Sequence, residues 1–327
     1  MHGRAQGGRN NKGRGQMAIS DNLRGVAYMC LSMLAFTVND SFMKAVTTEV
    51  PLFQTVFLRG LIAIAGLVVM GSLTGAFRQK LQGADWRLIT LRSVAEIFAT
   101  ITFLTALLHM PLANLSAIMQ VLPLAVTLTA ALVFGDRIGW RRLVAILVGF
   151  VGVMIIIRPG TEAFDIWSLM GVASVLCVVV RDLAVRRMGS HVPSIIVALG
   201  AAVMVAVMGL GLSLVPTAGM GANFDGLTGW IAMDMAQLAQ VGAAGAFLIV
   251  GYLCAVTAMR WGDIGVVAPF RYTSLLWAIV LGFAAFGELP DGWTLVGSAI
   301  VVASGIYTLL RERQKRRMAA VAARAEG

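Results

Sequence analysis

The stretch 24-RGVAYMCLSMLAFTVNDSFMKAV-46 decides the fold, because 166-IWSLMGVASVLCVVVRDLAVRRM-188 repeats its pattern at an offset of 142 positions (166 minus 24). Both stretches are predominantly apolar and exceed the ~20 residues that a helix needs to cross a bilayer. The alignment places Asp182 where Asp40 stands. Matches of leucine or valine would mean little in so apolar a chain, but a shared aspartate is informative. The two stretches therefore predict membrane-spanning helices that open two related halves.

The composition of the chain indicates that most of its residues lie in a lipid bilayer. Of the 327 residues, 58% are hydrophobic and 13% are charged, whereas soluble domains have about 45–50% apolar and about 25% charged residues. No soluble fold of this length has a core large enough to bury so much apolar surface. Three cysteines and three histidines are scattered without metal-ligand spacing, and the GxxxxGK[ST] motif is absent. The sequence therefore predicts no metal, no cofactor and no ATP-driven motor.

Hydropathy and turn signals divide the chain into ten predicted spans. The breaks between them carry proline, glycine or charge, as at Glu49-Val50-Pro51. The predicted spans are 24–46, 52–71, 86–109, 112–134, 139–157, 165–188, 193–215, 235–258, 263–287 and 292–310. Residues 1–23 are predicted as a disordered basic tail, and 311–327 as a basic cytoplasmic tail.

The distribution of basic residues predicts the orientation. With the N-terminus in the cytoplasm, 20 of the 26 Lys and Arg residues lie in inside segments, and Lys44 and Arg158 lie outside. This asymmetry follows the positive-inside rule. It also explains the net charge of +10 through topology, so we expect no nucleic-acid partner. Both termini are predicted inside, in the inner membrane of a bacterium.

The later parts of the two halves also align. Residues 106–153 match 258–305 at an offset of 152 (258 minus 106), which pairs Gly135 with Gly287 and Asp136 with Glu288. The predicted repeats are therefore 24–157 and 165–310. Each has five helices, an odd number, so the second must be inverted in the membrane. The fold class is an all-α membrane protein of two inverted five-helix repeats, a layout typical of secondary transporters with a site between the repeats.

Several motifs in this order resemble the bacterial ten-helix EamA-type members of the drug/metabolite transporter superfamily. They are Ala35-Phe36-Thr37-Val38-Asn39-Asp40 with Lys44, Phe57-Leu58-Arg59-Gly60, Leu132-Val133-Phe134-Gly135-Asp136 and Ala284-Ala285-Phe286-Gly287-Glu288-Leu289. The resemblance implies a central cavity and proton- or gradient-driven exchange. It does not fix the substrate, because the superfamily covers amino acids, nucleosides, sugars and drugs.

Ionisable residues inside the predicted spans are the candidate functional residues, because charges in a bilayer are costly. They are Asp40, Arg59, Arg92, Glu96, Arg181, Asp182 and Arg271. Their depths predict two ion pairs on opposite sides of the midplane, Asp40 with Arg59 and Asp182 with Arg92. These pairs predict gating or proton coupling by Asp40, Arg59 and Asp182. The alternative is permanent structural pairing, which we favour slightly for Asp182.

The predicted substrate site centres on Arg271, near mid-depth in the ninth span. A guanidinium group cannot lose its proton and pairs bidentately with a carboxylate. Glu96 is expected as its nearest counter-charge, and Arg92 lies on the same helix face as Glu96 because the two are spaced i, i+4. Further predicted substrate-binding residues are Gln120 and Tyr272, which align across the repeats, and Asn39. Ordinary packing is the alternative for Tyr272.

Prolines and small residues predict local backbone features. Pro123 and Pro269 interrupt the fourth and ninth spans and are candidate hinges, with a static kink as the alternative. Small residues at four-residue spacing in the fifth and tenth spans, such as Gly149 and Gly297, predict close helix contact. A homodimer seam is the other interpretation of the same residues.

Together these features predict a secondary transporter rather than an enzyme. Buried arginines favour a carboxylate-bearing metabolite such as an amino acid, with a proton as the coupling partner, moved by alternating access around a midplane cavity. A broad-specificity drug exporter is the alternative. A lipid-modifying enzyme is remote, because it would need acidic residues and histidines clustered at one membrane face.

The predicted topology is testable with reporter fusions. A fusion after Arg317 and one within 216–234 should report opposite sides of the membrane, because an odd number of spans separates them. A fusion at Gly189 serves as the control and should report the same side as the one after Arg317. The ten-span topology is wrong if the fusions after Arg317 and within 216–234 report the same side.

Overall fold

The computed structural model describes residues 6–79, 81–135, 139–161, 164–189, 191–215, 226–261 and 264–325. These ranges contain α-helices and short 3-10 turns and no strand. Ten helical segments are long and apolar enough to cross a membrane. In chain order, TM1 to TM10, they are Asp21–Val46, Leu52–Thr74, Gly83–His109, Leu112–Phe134, Trp140–Ile157, Trp167–Arg187, Ser194–Ser213, Met235–Trp261, Ala268–Phe286 and Gly292–Arg311. The all-helical fold with ten spans is therefore confirmed.

The ends of the chain are more helical than the sequence predicts. The helix of TM1 extends over Gln6–Val46, so it enters the stretch for which the sequence predicts a disordered tail. The helix of TM10 extends over Gly292–Ala325. Adding residues to an existing helix requires no new nucleation, which is the costly step in helix formation. The boundaries inside the bundle differ from the predicted ones by a few residues.

Helix packing follows the relation between the repeats. TM1 packs along TM8, and TM6 packs along TM3. TM6 is the counterpart of TM1 in the second repeat, and TM8 is the counterpart of TM3. The TM1–TM8 contact in one repeat order therefore corresponds to the TM6–TM3 contact in the other. TM2 packs against its own counterpart TM7, and TM5 against TM10. An even number of spans places both chain ends on one face of the bundle, here named the terminal face. The other face, which includes Lys44 and Asp291, is named the opposite face.

Matching local features support the alignment of the repeats. Gly135 and Gly287, which the sequence pairs, both follow a helix end with left-handed φ angles of 70° and 66°. That conformation favours glycine because it has no Cβ. Arg186 lies over the Phe134 ring at 4.8 Å, and its counterpart Lys44 lies over the Phe286 ring at 5.1 Å. Asp136, which the sequence pairs with Glu288, lies outside the described residues.

TM4 and TM9 are both broken near Pro123 and Pro269. TM4 consists of helices Leu112–Met119 and Leu122–Phe134. TM9 consists of a 3-10 turn over Ala268–Tyr272 and a helix over Thr273–Phe286, and the short helix Ile264–Val267 precedes it. Proline lacks an N–H and its ring clashes with the carbonyl four residues earlier. The interruptions are therefore confirmed, while movement about them stays a prediction.

The small residues of TM5 and TM10 pack against each other within the chain. A Cβ on Gly297 would lie 2.6 Å from the carbonyl oxygen of Gly152, and one on Gly152 would lie 2.8 Å from that of Gly297. Only glycine permits so close an approach of two helix backbones. This contact supports the packing interpretation of these residues.

Gly297→Ala should separate TM5 from TM10 and lower the unfolding free energy by about 1–3 kcal/mol, the usual cost of overpacking. Gly242→Ala in TM8 is the matched control, because a Cβ there would have no atom within 4 Å. It should leave stability unchanged or raise it through helix propensity. Thermal melts in detergent measure both variants. Equal melting temperatures for the two variants would contradict the close contact.

Candidate functional site

The carboxylate of Glu96 joins two arginines in the middle of the bundle. Its Oε2 accepts from Arg92 Nη2 at 3.2 Å and from Arg181 Nη1 at 3.3 Å. Arg92 is on the same helix one turn away, and Arg181 belongs to TM6. The expected common face of Arg92 and Glu96 is therefore confirmed. Glu96 therefore links TM3 to TM6.

The predicted pair of Asp182 with Arg92 is wrong. Asp182 Oδ1 accepts from the Nε of its neighbour Arg181 at 2.9 Å. The extended guanidinium group of Arg181 therefore contacts two carboxylates, Asp182 through Nε and Glu96 through Nη1. Arg92 instead binds Glu96 on its own helix through Nη2, and its Nε and Nη1 are buried without a hydrogen-bond partner among the described residues.

Asp40 and Arg59 are neighbours that are joined by an amide rather than by a direct ion pair. Asn39 Nδ2 donates to Asp40 Oδ1 at 2.9 Å, and Arg59 Nη1 donates to Asn39 Oδ1 at 3.3 Å. An asparagine side chain can donate and accept at once, so it relays the interaction between the two charges. The prediction that these residues lie together is right, but the predicted direct pairing is not seen.

Arg271 differs from the other three arginines because its side chain is exposed. Among the described residues, it makes no hydrogen bond and no ion pair within 4.0 Å, and its electrostatic neighbours are Asp182, Arg181 and Tyr272. The expectation that Glu96 is its nearest counter-charge is therefore wrong. The Glu96 carboxylate is bound by Arg92 and Arg181 instead. The acidic neighbour of Arg271 is Asp182.

Gln120 and Tyr272 are buried in the contact between TM4 and TM9. Gln120 Nε2 donates to Ser274 Oγ at 2.9 Å and to the carbonyl of Tyr272 at 3.4 Å. The Tyr272 hydroxyl lies against Gly305. The two broken helices therefore meet at equivalent positions, as expected near a symmetry axis. Both side chains are almost inaccessible, which differs from the prediction that they face a cavity and favours packing.

Three adjoining cavities connect the charges to the terminal face. One, of about 170 Å³, is lined by Asp40, Arg59, Glu96 and Arg181. A second shares Arg59 and Glu96 with the first and includes Tyr252. The third, of about 430 Å³, shares Tyr252 with the second. Its lining includes Leu67, Met70, Arg92, Val185, Met188, Val197 and Val256. Tyr252 is a site residue that the sequence analysis missed, because nothing distinguishes it from a packing aromatic.

A polar contact joins three chain segments beyond Asp40 at the opposite face. Lys44 Nζ donates to the Glu288 carboxylate at 2.6 and 2.7 Å and to the carbonyl of Met110 at 3.0 Å. The same carboxylate accepts from the Leu112 N–H at 3.2 Å. The sequence indicates both charges as motif residues, but 244 positions separate them. Sequence reasoning therefore had no signal that they pair.

The arrangement offers charged groups that could bind a charged small molecule. No group of three or more His, Cys, Asp or Glu residues within the described ranges could hold a metal ion. What the residues offer is a polar centre between two repeats, from which the cavities extend toward the terminal face.

Comparisons with known proteins support a membrane transporter. Residues 23–158, the first repeat, match the family model described as the EamA-like transporter family. The comparisons support an EamA-type transporter. It is 20% identical over 300 residues to an S-adenosylmethionine uptake transporter of Rickettsia prowazekii, with 91% of this chain and 96% of the relative covered.

Two further similarities extend the comparison. A riboflavin transporter of Vibrio cholerae is 27% identical over 301 residues, covering 90% of this transporter and 96% of the relative. A solved crystal structure of 19% identity aligns with a TM-score of 0.60 over 90% of this chain and 99% of its own, which supports the fold. The chain is thus a multi-pass membrane protein that carries a small molecule and is not an enzyme.

Glu96→Gln should lower the unfolding free energy by about 3–5 kcal/mol, because removing one partner of a buried ion pair leaves uncompensated charge. Here it would leave two arginines facing each other. Glu49→Gln is the matched control. Among the described residues Glu49 accepts one exposed hydrogen bond, from Gln237, so this variant should melt like the wild type. Thermal melts in detergent decide between them. A Glu96→Gln protein as stable as the Glu49→Gln protein would contradict a bracing role for Glu96.

Proposed function

We propose that this transporter moves an amino acid or a related carboxylate-bearing metabolite by gradient-driven alternating access in the bacterial inner membrane. The carrying observation is the charge balance of the site. The charged residues within the spans near the site are four arginines and three carboxylates. A substrate carboxylate would complete the set.

Arg271 is the residue that best fits the anionic group of the substrate. Its guanidinium group makes no ion pair with the described residues, whereas Arg92 and Arg181 are held by Glu96. A free guanidinium group offers two parallel N–H donors, which match the geometry of a carboxylate. Asp182 nearby fits the amino group of a zwitterion, although its bond to Arg181 would compete.

The relatives support a small-molecule substrate and leave its class open. One is named as a carrier of S-adenosylmethionine, which is an amino-acid derivative, and one as a carrier of riboflavin, which is not. A pseudopaline exporter of Pseudomonas aeruginosa is also similar, at 22% identity over 286 residues, 86% of this chain and 94% of its own. Uptake and export both occur among these relatives, so the direction of transport does not follow from them.

Asp40 is the candidate site for a coupling proton. It is held by the amide of Asn39 rather than by a direct ion pair, so its protonation would not leave a tightly bound arginine without its partner. It also lines the cavity that contains Arg59 and Glu96. A carboxylate in such a position can exchange protons with water in the cavity.

A broad-specificity exporter is the second candidate, and one observation favours it. The largest of the three cavities is lined mainly by apolar side chains such as Leu67, Met70 and Val197, with Arg92 as its charged member. Apolar walls tolerate substrates of varied shape. The arginine-rich centre argues for an acidic group on whatever is carried.

Arg271→Met should abolish transport in proteoliposomes, and Arg271→Lys should raise the substrate KM at least about tenfold, because a lysine loses the bidentate fork. Both variants should melt within a few degrees of the wild type, because Arg271 makes no ion pair with the described residues. Arg260→Met, an exposed arginine at the end of TM8, is the control and should transport normally.

Counterflow with labelled amino acids, organic acids and nucleosides measures these effects. An Arg271→Met protein that transports with the wild-type KM would refute the assignment of the anionic subsite. A stable protein that exchanges nucleosides and no carboxylate compound would refute the proposed substrate class while leaving the transporter fold intact.

A further inference from the structure

The contact between Lys44 and Glu288 is built from more than one ion pair. The Lys44 ammonium reaches both carboxylate oxygens, the Met110 carbonyl and the Phe286 ring. Its side chain is 10% exposed and that of Glu288 is 27% exposed. This cluster, here named the Lys44 latch, joins the end of TM1 to the TM3–TM4 and TM9–TM10 junctions.

The Lys44 latch lies directly beyond the charged site. Lys44 and Asp40 are spaced i, i+4 on TM1, so they share a helix face and are about 6 Å apart along its axis. Asp40 lines the cavity with Arg59 and Glu96. The described cavities continue from there toward the terminal face through Tyr252 and Arg92.

We propose that the Lys44–Glu288 ion pair is the gate at the opposite face, which must break before the site opens there. The inference rests on the proposed alternating access. Separating the pair would let water reach both charges. The energy lost with the ion pair would then be offset by the hydration of the ammonium group and of the carboxylate. Such an exchange is nearly balanced for a partly buried ion pair, which is what a reversible gate requires.

The physical consequence concerns single and double substitutions. Lys44→Gln or Glu288→Gln leaves one charge without its counter-charge in the closed state, and that charge is better hydrated in the open state. Each single change should therefore shift the protein toward opening at the opposite face. The double substitution Lys44→Gln with Glu288→Gln removes both charges, so it should shift the protein back toward closure. A permanent structural brace predicts lower stability without any change in access.

The test labels a cysteine placed at Thr100, which lines two of the three cavities, with a membrane-impermeant maleimide. The native cysteines Cys30, Cys177 and Cys254 are first replaced by serine or alanine. The reagent is added from either side of oriented vesicles without substrate. In the otherwise unchanged protein, labelling should come from the terminal face. From the opposite face, each single variant should label at least about tenfold faster than the otherwise unchanged protein. The labelling rate of the double variant should lie at least halfway, on a logarithmic scale, from that of the single variants back to that of the otherwise unchanged protein.

A second ion pair on the same face provides the matched control. Arg158 binds Asp291 between the ends of TM5 and TM10, away from the described cavities. Burial alone would raise the pKa of Asp291, but hydrogen bonds with Thr294 and Arg158 outweigh it and hold the pKa below its usual value. Asp291 is therefore charged at neutral pH. Arg158→Gln and Asp291→Asn should leave labelling from the opposite face unchanged.

The outcomes separate the gate from the proposed function. If the single variants melt lower but label from the opposite face like the Arg158→Gln protein, the Lys44 latch is a static brace and the gate is overturned. The same conclusion follows if the double variant labels as fast as the singles. If the maleimide labels Thr100→Cys from neither face in any variant, the result instead refutes the accessible cavity on which the proposed function rests.

Discussion

A carboxylate or guanidinium group inside a bilayer has no bulk water around it, so it must meet a counter-charge or a water-filled cavity. Glu96 meets this requirement for two arginines at once, one on its own helix and one on TM6. This fixes how TM3 and TM6 lie against each other. The other charges of the centre are placed relative to that pair of helices, and the cavity opens beside them.

The two repeats share their helix packing but differ in their chemistry. Asp40 and Asp182 occupy equivalent positions, yet Asn39 binds the first and Arg181 binds the second. Closely packed helices tolerate few changes of shape, so the symmetry of the packing persists. Polar side chains that line a cavity have more freedom to vary. The asymmetry coincides with a site that is reached from the terminal face and closed at the opposite face by the Lys44 latch.

The spans and the repeat relation could be predicted from the sequence because both depend on strong local signals. An apolar stretch of about 20 residues has few alternatives in a lipid environment, and the aspartates at positions 40 and 182 mark equivalent helices. The proline breaks were also predictable, since the missing N–H acts locally.

The pairing of charges was predictable only in part. Arg92 with Glu96 followed from helical spacing, but Asp182 with Arg181 and Lys44 with Glu288 did not. Depth along a helix gives one coordinate of a side chain, whereas an ion pair depends on rotation about the axis and on which helices are neighbours. Likewise, Gln120 and Tyr272 align across the repeats, but alignment alone could not tell a cavity from a helix contact.

The most direct test of the account measures whether the site selects for a carboxylate. Proteoliposomes loaded with an amino acid that supports counterflow would be challenged with that amino acid, its amide and its decarboxylated amine, which differ only at the acidic group. The account predicts exchange of the free acid and at least about tenfold weaker exchange of the other two, because both lack the partner for Arg271. Equal exchange of all three compounds would contradict it.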